Sequence, residues 1–210
     1  MKTLARPLIL VLCALLPAAA LAADPTLSDA ERAELISLLE DSRQQFEALT
    51  ARSTGDAWSQ APAEGKWSVG EVAEHLVVTE QGILAMAQGA LASDADPEWE
   101  ATTAMTVDQL VAMLGDRSQK FQAPETLQPT GEMSREEAIE QFAGVRARTL
   151  DFVRGTDAPL KAHTAEGPPG KMNAHMWLAL IGAHNLRHNA QIEEAITMVA
   201  AANESPTAED

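Results

Sequence analysis

Three times this chain places a serine three residues ahead of a glutamate at the threshold of a long apolar-periodic run: Ser28 with Glu31, Ser68 with Glu71, and Ser134 with Glu137. At that spacing the serine oxygen accepts from a free N–H of the first helical turn, while the glutamate reaches back to the serine N–H, so each pair marks a helix start. Behind the first lie Leu35, Leu38, Leu39, Ser42, Phe46 and Leu49. Behind the second lie Val72, His75/Leu76, Thr79, Ile83 and Met86, in a helix ending near Ala92. Behind the third lie Ala138, Ile139, Phe142, Val145, Leu150 and Val153. Steps of three and four put each set on one face. A fourth helix reads from about Asn173 to Ala201, with Trp177, Ile181, His184, His188, Ile192 and Ala195 along one stripe. Four long amphipathic helices without strand alternation predict an all-α four-helix bundle.

The connections are turn-rich. Ser53 to Lys66 reads as a loop, and so does Gly155 to Lys171, whose Gly-Pro-Pro-Gly at 167–170 ends any helix before it. Ser93 to Pro129 is the least regular stretch; Val107, Leu110, Val111 and Leu114 predict a short accessory helix there, between the second and third long helices.

Lys2 and Arg6, the apolar run from Pro7, and the small-x-small site Ala20-Leu21-Ala22 together read as a secretory signal peptide over residues 1–22, cleaved after Ala22. The bundle domain then spans residues 23–202, with a disordered polar tail at 203–210. A periplasmic or secreted bacterial protein is expected, with no stable membrane insertion once the leader is gone. Cys13 is the chain's single cysteine and leaves with the leader. Thiolate nucleophiles, disulfides and cysteine metal sites are thereby excluded from the expected mature chain. With 15 basic against 31 acidic residues, a formal charge of −16, the chain lacks the basic footprint of a nucleic-acid binder.

Any chemistry therefore falls to histidine, carboxylates, hydroxyls or a bound group. His184 and His188 are four residues apart, about 40° around a helix axis, and project the same way. His75 lies on the apolar stripe of the second helix, so three imidazoles meet if those two helices pack together. Such a set grips a transition metal with a position left open; hydrogen-bonded core histidines explain the same spacing equally well. Gln191, on the same face as His188, and Glu71, one turn before His75, are the candidate catalytic or supporting groups, although capping already accounts for Glu71. His175 falls about 180° from His184 and His163 lies in a loop; both are left out, and Trp177 reads as core. His184-Asn-Leu-Arg-His188 has Asn where the HExxH proteases need Glu, and no Glu-x-x-His pair, CxxCH, P-loop or GxSxG is present.

Trp58, the run Lys66-Trp67-Ser68-Val69-Gly70-Glu71-Val72-Ala73-Glu74-His75-Leu76, and Trp177 followed by His184-Asn-Leu-Arg187-His188-Asn-Ala-Gln191 resemble, in that order, the DinB-like superfamily of bacterial four-helix bundles. The resemblance covers about Ser28 to Ala201. It implies a divalent metal, zinc or nickel, on His75, His184 and His188, acting on a small-molecule substrate. It also implies activities such as thiol-dependent transfer with a low-molecular-weight thiol, and a possible homodimer. The leader departs from the family pattern, because cytosolic thiol pools do not follow an exported protein. The expectation is an exported metal-dependent transferase or hydrolase; the alternative is a non-catalytic periplasmic bundle that binds metal or a small ligand.

Overall fold

The computed structural model describes residues 24–53, 55–102, 105–167 and 170–204. The expected leader and the end of the tail lie outside them. Among the described residues are four long helices: α1 (Asp29–Arg52), α3 (Val69–Leu91), α6 (Arg135–Gly155) and α7 (Ala174–Glu204). Ser28, Ser68 and Ser134 cap the first three, each with both hydrogen bonds of its box made. Helix α7 continues through Asn203 and Glu204, the first two residues of the expected tail.

Between these run α2 (Asp56–Ser59), α4 (Trp99–Thr102) and α5 (Val107–Gly115). The accessory helix is α5, opened by a fourth box, Thr106 with Gln109, and it buries Leu110 and Leu114 against α7. The loop expected at Gly155–Lys171 instead holds a hairpin in which β1 (Thr164–Gly167) pairs antiparallel with β2 (Gly170–Asn173). Four-residue strands are too short to show a readable alternation, and the hairpin rests on tertiary contact. A Cβ on Gly167 would lie 2.5 Å from the Trp177 ring.

Helix α7 packs on α1 and α3, and α6 packs on the same two, so α6 and α7 stand diagonally across the bundle. The α1–α7 crossing is close, with a Cβ on Gly182 meeting Leu38 at 2.6 Å. Of the expected stripes only Met86 is exposed, at 43%, and Ala87 takes its place in the core, while Leu38, Ile139 and His184 are half-buried. A step of four from Ile83 stays closer to the buried face than a step of three, because 3.6 residues make a turn.

The apolar interior forms two clusters. One contains Leu35, Leu39, Ile83, Val153 and Ile181; the other contains Phe46, Leu76, Phe142 and Ile192. On every long helix a buried polar position falls between them: Ser42, Glu80, Arg146 with Thr149, and Asn185 with Asn189. Arg146 bonds Glu80 through Nε and an Nη, both at 2.9 Å, and also donates to Ser42 Oγ, the Leu39 carbonyl and Asn185 Oδ1. Thr149 donates to Glu80 at 2.9 Å, and Asn189 reaches the Ser42 carbonyl at 2.8 Å. A buried charge persists only where paired and hydrogen-bonded, and here all four helices supply partners. Among the described residues, no helix is long and apolar enough to cross a membrane.

Candidate metal centre

Packing of α3 against α7 brings His75, His184 and His188 together, with their ligand atoms all within 4.8 Å of one another. His184 Nε2 stands 3.4 Å from His75 Nε2 and 3.1 Å from His188 Nε2. Donors about 2.0–2.1 Å from a tetrahedral ion sit roughly 3.3–3.4 Å apart, so the set fits a single divalent cation.

Proton placement argues the same way. His75 Nδ1 lies 2.7 Å from the Leu127 carbonyl, which can only accept, so Nδ1 carries the hydrogen and Nε2 keeps its lone pair. His188 Nδ1 lies 2.9 Å from Gln191 Oε1, with the same consequence. Two inward lone pairs thus face His184, whose Nε2 has at most one hydrogen to give, and the Thr79 hydroxyl stands 3.4 Å from His75 Nε2 as a long further donor. Fixing the outer nitrogen so that the inner one coordinates is the usual support of a metal-bound imidazole.

The rings are held neutral. Burial pushes His184 well below its ordinary value, with further depression from His188 and His75. Burial, then the neighbouring His75, push His188 down to about 3 against the opposing hydrogen bond from Gln191. Burial lowers His75 as well, partly offset by Leu127. Trp67 walls the cluster, its ring centroid 4.9 Å from His75 and 6.5 Å from His188.

Gln191 therefore stands at the cluster. Glu71 does not hydrogen-bond any of the three imidazoles: its Oε2 accepts from the Ser68 N–H at 2.7 Å, closing the capping box. His163 Nδ1 donates to the Ser93 carbonyl at 2.9 Å, and Trp177 is buried in the core with its Nε1 unpartnered. Sequence reasoning missed the Leu127 carbonyl, since a backbone acceptor leaves no side-chain signature. It also missed Glu80 and Arg146, whose signal was available as opposite charges on the apolar stripes of two different helices.

The three imidazoles that converge from two helices of this bundle form a group that could hold a metal ion. The family is the DinB superfamily, to which this chain belongs: the family's sequence model matches residues 38–192. The fold is similar to that of YfiT from Bacillus subtilis, described as a probable metal-dependent hydrolase with an unusual four-helix bundle topology. The TM-score is 0.57 at 15% identity, over 86% of this chain and 92% of YfiT. At that identity the likeness is one of fold. No curated protein matches the chain.

Proposed function

We propose that this is an exported metal-dependent hydrolase for a small electrophilic substrate, with His75, His184 and His188 as the ligand set for zinc or nickel. One observation carries the reading: the outer nitrogens of His75 and His188 are committed as donors, so their inner lone pairs converge with His184 at coordination spacing. A divalent ion bound there would polarise a substrate oxygen and lower the pKa of a coordinated water or thiol. Because all three ligands are neutral, the protein cancels none of that ion's charge. Gln191 and the Leu127 carbonyl lock two rings in the coordinating tautomer, and Trp67 keeps solvent from one side. The reading of residues 1–22 as a leader supports export, and export favours water over a cytosolic thiol as the nucleophile.

Elemental analysis of the purified protein, beside the His75→Ala/His184→Ala/His188→Ala variant, tests the site. Near-stoichiometric metal in the natural protein and none in the variant is the expected result; no metal in either under metal-replete conditions overturns it. Ester and amide substrates, with and without added thiol, then separate hydrolysis from transfer.

A second reading is a non-catalytic metal-binding bundle. It is favoured by the absence of any carboxylate from the cluster among the described residues and by the capping role of Glu71. Tight reversible metal binding without turnover across that panel selects it.

A further inference from the structure

Resting on the metal-centre reading, we propose that the segment 115–131 is a strap that holds His75 in its coordinating orientation, and that Arg187 and Glu74 are the positioning residues that set the strap. The two anchors are each one residue from a ligand, Glu74 beside His75 on α3 and Arg187 beside His188 on α7. The segment bridges the pair of helices on which the imidazoles meet.

At its start, one Nη of Arg187 donates to the carbonyls of Leu114 at 2.8 Å and Asp116 at 3.2 Å. The other Nη donates to Gln119 at 2.6 Å. Phe121, 58% exposed, lies with its ring centroid 5.0 Å from the same guanidinium. At its end, Glu74 Oε1 accepts from the Thr130 N–H at 3.0 Å and hydroxyl at 2.7 Å, and Oε2 accepts from the Gly131 N–H at 2.9 Å. Burial alone would raise that carboxyl; the hydrogen bonds from Thr130, Gly131 and Met133 hold it below its ordinary range. Gly131 turns the chain with φ 74°. Between the anchors, the single 3₁₀ turn Glu125–Leu127 delivers the Leu127 carbonyl to His75 Nδ1.

Gly115 to Gln122 are all exposed, so little apolar burial fixes the path of the strap, and the two side-chain anchors carry that task. Coupling between loop order and metal is reciprocal: a strap that orients His75 is itself ordered when His75 is bound.

Charge and positioning make opposite predictions for Arg187. Removing a cation beside a divalent-ion site tightens binding if charge alone matters, and loosens it if the strap matters. Zn²⁺ affinity, measured by competition with a chromophoric chelator, is expected to fall about 10–100-fold in Arg187→Gln, the range typical when a ligand's orienting partner is lost. Arg187→Lys, which keeps the charge but not the fork of donors, is expected to fall comparably, with circular dichroism unchanged. In the natural protein Zn²⁺ should slow tryptic cleavage after Arg117 and Lys120 relative to cleavage at Lys171 in the hairpin. Unchanged or tighter Zn²⁺ binding in a folded Arg187→Gln overturns the strap while leaving the metal centre standing. Should that variant not fold, equal cleavage rates of the natural protein with and without Zn²⁺ overturn it instead, and protection supports it. Failure of the natural protein to bind Zn²⁺ or Ni²⁺ overturns the metal centre, and the strap with it.

Discussion

Replacing Arg146 with methionine is the sharpest test of how this bundle is held together. The side chain is fully buried on α6 and makes five hydrogen bonds, to Glu80, Ser42, the Leu39 carbonyl and Asn185. Methionine fills most of the volume but supplies no donor. The Glu80 carboxylate, 4% exposed, is left with Thr149 as its remaining hydrogen-bond donor. Breaking one half of a buried ion pair costs about 3–5 kcal/mol. At about 2–4 °C per kcal/mol for a chain of this size, Tm is expected to fall by roughly 6–20 °C. The partner change, Glu80→Gln, strands the guanidinium and is expected to cost a similar amount. Each single variant therefore includes the penalty of an unpaired charge, and Arg146→Met/Glu80→Gln does not. The double variant is expected to cost about 2–3 kcal/mol less than the sum of the singles, the upper part of the range for coupled neighbours. Urea unfolding of the four proteins completes the cycle. Additivity within about 0.5 kcal/mol, or a single-variant cost under about 1 kcal/mol, would refute the claim that one charge pair organises the centre of the bundle.

The helix starts of α1 and α3 can be tested as well. Glu31 is tugged upward by burial, but the Ser28 N–H and hydroxyl and Lys161 pull it down to about 2 from 4.5. A depressed carboxylate stabilises the fold above its unfolded pKa, so its contribution is complete above about pH 5 and is lost as pH falls from 4.5 toward 2. With a third of the side chain exposed, screening trims that contribution to about 1–2 kcal/mol. The stability gap between the natural protein and Glu31→Gln should close across that window, and a gap unchanged at pH 2.5 would contradict the assignment. At α3, Ser68→Ala is expected to lose about 1 kcal/mol, whereas Glu71→Gln retains a capping acceptor and should leave stability, metal content and turnover near their natural values. Loss of turnover with metal retained would make Glu71 more than a cap.

Features whose causes act within a few residues were legible from residue order alone. A capping box closes over three residues, so the starts of α1, α3 and α6 were readable to the residue. The 3.6-residue turn put His184 and His188 on one side of α7 before any packing was known. Packing between helices settled the rest. Whether His75 joins the other two depends on α3 lying against α7, a choice made by the burial of both apolar clusters. The acceptor that orients His75 is a backbone carbonyl reached across fifty-two residues of chain, invisible in any side-chain pattern. Glu80 and Arg146 are charges on otherwise apolar stripes of two helices, and only folding sets them face to face. Strands β1 and β2 pair where Gly167 meets the Trp177 ring. Local hydrogen bonding and helical periodicity are properties of a segment, whereas long-range pairing is set by which surfaces the whole chain can bury at once.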